Sequence, residues 1–477
     1  MSGLLSSARW AAVAQASRVV GQLVSLAVLS RLLPPSDYGV MAMASVVTAL
    51  AAMLRDMGTG AAIIQRKEIT PELTSTVFWM NVALGSALGL ALCFGGGALG
   101  SFFREPKLPG LLLALAAMFP LSSLTTVHQA IIERRSGFKT LAMLEVANQV
   151  VGVALAIVAA LAGAGVYSLA VPTMSATVIS SIWLWKESGW RPAWRWSNTE
   201  FKGIWGFSGN LTAFQFVVYF ARNADSMIIG RMLGAAPLGI YSMAYKLMLF
   251  PVQNLTWVVG RVLLPRMSQL QDDPGRIRDL YFKALGAVVT LSAPIMAGLW
   301  ALREPFVAIA FGPHWADVPA LVAWLAPVGL LQSMTSTVGT VFMAAGRTRT
   351  LFRLGLANTV VVVISFVIGA YLGLVYVAIA YGIAHVITGL QMAWLTGKLL
   401  NAGFGHLWAA IRAPLVSSLL MAVGMALLLM LAEPLGWPAL VLCLIVGAAG
   451  TALYGLSLKV IFGQSLKPAL AFIRTKG

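Results

Sequence analysis

Apolar runs of about 20 residues follow one another along this chain, each long enough to cross the hydrocarbon core of a bilayer as a helix. Fourteen are legible, near residues 8–31, 38–54, 76–99, 110–131, 140–162, 165–185, 205–230, 237–260, 284–302, 318–344, 353–372, 374–397, 411–432 and 438–459. Hydrocarbon offers no partner to a free backbone amide or carbonyl, so these spans are expected to be helices. Barrel strands would alternate in polarity and would not give unbroken runs. The first run is full length and carries Arg18 inside it, which reads as a span and not as a cleavable signal peptide. The expectation is an all-α polytopic membrane protein of about 14 transmembrane helices.

Composition sharpens this. Of 477 residues, 59% are hydrophobic and 10% charged, where a soluble domain carries about 25% charged residues. The net charge of +17 is a topology signal and calls for no nucleic-acid partner. With the N-terminus placed in the cytoplasm, 25 of the 33 Lys and Arg fall on that side. Five (Arg31, Arg104, Lys107, Arg231, Arg303) fall on the other, and three (Arg18, Arg222, Lys246) lie within spans. That bias predicts cytoplasmic N- and C-termini. Cys93 and Cys443 are far apart in apolar runs and have no metal-ligand spacing. They read as small hydrophobes, and no metal or cofactor is expected.

The chain is also a duplication. "SRLLPPSDYGVMAMA" (Ser30–Ala44) recurs as "GRMLGAAPLGIYSMA" (Gly230–Ala244), and "KTLAMLEVANQVV" (Lys139–Val151) as "RTLFRLGLANTVV" (Arg349–Val361). Arg31, Gly39 and Asn148 thereby match Arg231, Gly239 and Asn358. Each copy holds six spans. An even number returns the chain to its starting side, so the two copies are expected to be parallel lobes with a site between them near the midplane. The expected organisation is an N-lobe over 1–190, an interfacial cytoplasmic linker over 191–204, a C-lobe over 205–400, and two additional helices with a cytoplasmic tail over 401–477. The linker alternates Trp and Arg, which suits a segment lying at a membrane interface.

Two six-helix lobes plus two helices, with phrases such as "SRLLPPSDYGVMAMASVV", "DMGTGAAIIQRKEIT", "FFREP", "IIGRMLGAAPLGIYSMAYKL" and "RVLLPRMSQLQDD", resemble the prokaryotic polysaccharide transporters of the multidrug/oligosaccharidyl-lipid/polysaccharide flippase superfamily, in particular the exopolysaccharide and O-antigen type. The likeness runs from about residue 5 to 400. It implies a flippase, not an enzyme. The implied cargo is an oligosaccharide repeat unit on undecaprenyl diphosphate, moved from the cytoplasmic to the periplasmic leaflet of a bacterial inner membrane for exopolysaccharide or lipopolysaccharide synthesis. The lipid bilayer, a coupling H+ or Na+, and the polysaccharide polymerase and chain-length machinery are the further partners the resemblance suggests.

The charges inside the spans are the candidate chemistry, because intramembrane charges usually mark a pathway. Arg222 lies midway along the seventh span, and Arg18 holds a similar depth in the first, its counterpart in the other lobe. Lys246 adds a third cation. Three cations suit an anionic diphosphate, and Arg binds phosphate oxygens bidentately. Asn223, Gln15, His128 and His385 are candidate polar lining, with Asn81, Asn148, Gln332 and Asn358 behind them. Asp225 and Glu145 are the scarce acids available for ion coupling. Each has a plainer alternative. Arg222 and Asp225 could neutralise each other at i, i+3, Arg18 and Lys246 could snorkel, the two histidines could simply pack, and Asn148 and Asn358 could bond helix to helix. Two rival functions remain. A multidrug exporter of the same superfamily would usually carry acids for cationic drugs, and a membrane-embedded glycan polymerase or ligase would want a large periplasmic loop with catalytic groups.

Overall fold

The computed structural model describes residues 2–56, 59–66, 68–270 and 273–463, and every regular element among them is a helix. The chain divides into two compact units, residues 1–239 and 240–477. The first holds α1 (Ser2–Leu32), α2 (Pro35–Asp56), α3 (Thr59–Gln65), α4 (Pro71–Phe103), α5 (Leu108–Ala116), α6 (Met118–Ser123), α7 (Thr126–Arg134), α8 (Phe138–Leu161), α9 (Tyr167–Ser188) and α10 (Asn198–Met232). Next come α11 (Ala235–Ser268), α12 (Pro274–Ala301), α13 (Arg303–Ala310), α14 (Val318–Thr335), α15 (Val338–Ala344), α16 (Thr348–Leu372), α17 (Leu374–Leu399), α18 (Phe404–Ala432) and α19 (Ala439–Phe462). The tail expected after the last span lies outside the described residues.

The helix starts are written locally. Thr70 caps α4 by accepting from the Leu73 amide at 3.1 Å, with Pro71 at the first helical position. Asp273 does the same for α12, accepting from the Arg276 amide at 3.1 Å ahead of Pro274. Each cap satisfies an amide that the helix cannot, and Pro costs nothing where its missing N–H would be unused.

Among the described residues, eleven helices are long and apolar enough to span a membrane, or twelve with one bent pair, so fourteen is not reached by that measure. The shortfall is α10 and α11, the expected seventh and eighth spans. Each is over 30 residues long, and the count of eleven applies to the described residues. The protein is a multi-pass membrane protein.

Two expected spans are interrupted. The fourth comes as α5, α6 and α7, with a 45° bend between Leu108–Ser123 and Thr126–Arg134. The tenth breaks between α14 and α15. Both breaks carry hydroxyls that turn back on the preceding carbonyls: Thr125 Oγ1 on Ser122 (2.7 Å) and Ser123 Oγ on Phe119 (2.8 Å), then Ser336 Oγ on Ser333 (2.7 Å) and Thr335 Oγ1 on Leu331 (3.1 Å). Such bonds bend helices. These are the fourth spans of the two sequence copies.

Glycines matched by the repeated sequence sit in close contacts. A methyl group added to Gly39 would overlap the carbonyl of Ala235, and one added to Gly239 would overlap the carbonyl of Pro35. The two contacts exchange positions under the register of the repeat. In the second unit α18 lies along α12, and α19 packs on α18 and α13.

The segment between α9 and α10 lies against the start of α4. Trp194 stacks on Trp79 at 4.1 Å, Trp79 Nε1 donates to the Ala193 carbonyl (2.9 Å), and the Ser197 amide donates to Thr76 Oγ1 (3.0 Å). Arg195 pairs with Glu72 at 2.5 Å, and Arg66 pairs with Glu200.

Candidate substrate site

In the first unit α1 and α8 run parallel. Lys139 sits over the Trp10 ring (5.7 Å), Arg18 meets Glu145 two turns on, and Gly21 leaves room for Gln149 beyond. Arg18 donates from Nε to Glu145 Oε1 at 2.6 Å and from Nη2 to the same oxygen. Its Nη1 donates to Gln15 Oε1 at 3.3 Å. Three sequence candidates (Arg18, Gln15 and Glu145) thus form one cluster. The guanidinium side chain is still 48% exposed and the carboxylate 33%. Both Arg18 donors converge on one oxygen, which leaves the other carboxylate oxygen uncommitted to this arginine.

Arg222 projects exposed from α10 and has no hydrogen-bond or ion-pair partner among the described residues. The i, i+3 pair with Asp225 does not form. Asp225 is 5% exposed and accepts from the Ser226 amide at 2.6 Å. Asn223 is spent on its own helix, donating to the Tyr219 carbonyl at 2.9 Å, while Tyr219 Oη donates to the Val46 carbonyl of α2.

The second unit gathers a polar and aromatic group around α17. Gln332 Nε2 donates to Tyr381 Oη at 2.6 Å and lies 3.3 Å from His385 Nε2. His385 Nδ1 lies 3.1 Å from the Tyr381 carbonyl. A neutral imidazole with its proton on Nδ1 satisfies both contacts, donating to the carbonyl and accepting from the amide. Tyr381 stacks on Phe366 at 4.9 Å and lies 6.2 Å from Tyr245, the neighbour of Lys246 on α11. Lys246 itself is exposed.

His128 is elsewhere. It is fully buried, holds Ser188 Oγ at 2.7 Å through Nδ1, and packs against Trp185 (4.6 Å) and Trp190 (5.2 Å). Its place is the aromatic core under the α9–α10 segment. Asn148 bonds helix to helix, donating to Ser180 Oγ of α9 at 3.0 Å. Two residues escaped sequence reasoning. Tyr381 carried a signal, sharing a face with His385 at i, i+4. Arg55, one of the cations that the charge bias assigns to the cytoplasmic side, has a side chain only 16% exposed, and it reaches Ser122 at the first break while pairing with Asp56 at 2.7 Å.

The helical architecture, the repeated sequence and these span-embedded cations define a polytopic helical membrane protein with charges inside its spans. Its family follows from the sequence: the polysaccharide biosynthesis protein family matches residues 28–320, and the chain belongs to it. It is 27% identical to the lipopolysaccharide biosynthesis protein WzxC of Escherichia coli (strain K12), over 80% of this chain and 78% of that one. It is 26% identical to the succinoglycan biosynthesis transport protein ExoT of Rhizobium meliloti (strain 1021), over 93% and 90%. Among solved structures it shares the fold of the lipid II flippase MurJ in an inward closed conformation, with a TM-score of 0.77 over 96% of this chain and 99% of that one at 14% identity.

Proposed function

We propose that this protein is a flippase for undecaprenyl-diphosphate-linked oligosaccharide units. It carries them from the cytoplasmic to the periplasmic leaflet of a bacterial inner membrane, and both its termini are cytoplasmic. The reading is supported by relatives named for polysaccharide biosynthesis and transport across most of their length. The observation that carries it is the pair of arginines, Arg18 on α1 and Arg222 on α10, on the first helix of each copy, with exposed guanidinium groups. An arginine at the centre of a membrane helix costs about 3 kcal/mol by insertion scales. That cost on both copies argues for use.

In this account the two copies alternate in opening a cationic path to either face, and the lipid tail stays in the bilayer. Arg18 and Arg222 hold the diphosphate, Lys246 adds charge, and Gln332, Tyr381 and His385 offer an aromatic face and hydrogen bonds to sugar. Outward movement of two negative charges runs with an inside-negative potential, worth roughly 4.6 kcal/mol per 100 mV at about 2.3 per charge. Glu145 and Asp225 are the acids through which a proton or sodium would couple.

The binding step is tested on purified protein by native mass spectrometry. Undecaprenyl diphosphate carrying a short glycan should bind, and Arg18→Ala or Arg222→Ala should each weaken it about tenfold, the worth of one charge-assisted phosphate contact. Equal affinity for undecaprenol lacking the diphosphate would overturn the assignment.

A further inference from the structure

A cavity of about 460 Å³ lies within the second unit where α12, α17 and α18 meet. Phe282, Trp394 and Phe404 wall it, and Lys398, Thr396 and Asn401 are among its lining residues. Four features favour an anion there. Lys398 is exposed, lies 5.7 Å from the centre of the Trp394 ring, and meets no carboxylate among the described residues. Thr396 is 2% exposed, and its hydroxyl has no hydrogen-bond partner among the described residues. The 29-residue α18 begins here with Gly403 at its cap position, so no side chain covers the amides of its first turn, where a helix attracts anions. Neither α17 nor α18 brings a competing acid: no Asp or Glu occurs from Val318 to Ala432. On α12, Asp279 is exposed and pairs with Arg278 at 3.6 Å, and Asp273 pairs with Arg276 at 3.1 Å.

Beside those polar groups the walls are aromatic and aliphatic, so a free phosphate would leave most of the space unmatched. The charge bias places this end of α17 at the cytoplasmic face, and basic pockets between membrane helices on that face suit anionic lipid headgroups. We propose that this cavity holds the headgroup of an anionic phospholipid of the cytoplasmic leaflet, a resident lipid distinct from the transported one. The leaflet rests on the orientation proposed above. The binding chemistry does not.

The test uses the purified full chain in detergent, titrated with phosphatidylglycerol or phosphatidylcholine and read by native mass spectrometry. Phosphatidylglycerol should bind about tenfold more tightly than phosphatidylcholine, and Lys398→Gln should remove that preference. Arg349→Gln, a cytoplasmic cation outside the cavity, should leave it intact. No preference in the wild type, or a preference that survives Lys398→Gln, would overturn the proposal. So would displacement of phosphatidylglycerol by undecaprenyl diphosphate or by inorganic phosphate, either of which would name a different occupant. A reversed orientation would move the lipid to the other leaflet and leave these affinities unchanged.

Discussion

Glu145 occupies Arg18 in the structure, and a phosphate would compete with it for the same guanidinium. In the aqueous path proposed above, a pair one-third to one-half exposed contributes under about 1 kcal/mol to stability. Glu145→Gln should therefore leave the melting temperature within a few degrees of wild type and strengthen binding of the lipid-linked diphosphate by removing the competitor. Arg18→Ala should also melt normally but weaken binding. A Glu145→Gln protein that binds more weakly would show that the carboxylate positions Arg18 for substrate and does not compete with it. The two residues stand 127 apart in sequence. Each was legible as a charge within a span, yet their partnership depended on α1 and α8 being parallel neighbours, which no local pattern states. The i, i+3 spacing of Arg222 and Asp225, by contrast, suggested a pair that the rotamers do not make.

The contact between the starts of α2 and α11 rests on two glycines that the repeat register matches. Gly39→Val should clash with the Ala235 carbonyl, and Gly239→Val with that of Pro35. Overpacking of this kind costs typically 1–3 kcal/mol. Both variants should lower the melting temperature and the amount of protein in the membrane, to similar extents because the contacts are reciprocal. A large loss for one and none for the other would deny the symmetry. The matched glycines and arginines were readable in the sequence. The breaks at Leu124–Thr125 and Ser336–Thr337 were not, because hydropathy runs through them undiminished and a hydroxyl's choice of its own backbone is set by local geometry. Nor was the seating of the Trp-rich segment on Trp79, which joins residues more than 100 apart. Its interfacial composition alone was visible.

For the whole molecule, the charge asymmetry predicts orientation. In a background without Cys93 and Cys443, a membrane-impermeant thiol reagent added to intact cells should label Pro106→Cys and spare Glu187→Cys, both exposed positions. The opposite pattern would invert the topology. The central claim concerns Arg222, and one measurement meets it directly. The protein is reconstituted into vesicles with an undecaprenyl-diphosphate-linked oligosaccharide, and a leaflet-specific probe follows its appearance on the far side. Wild type should translocate. Arg222→Ala should not, Arg222→Lys should rescue poorly because it cannot bind phosphate oxygens bidentately, and Arg222→Ala with Asp225→Ala should stay inactive. Translocation restored in the double variant would contradict the account, since it would mean that Arg222 only offsets a buried carboxylate.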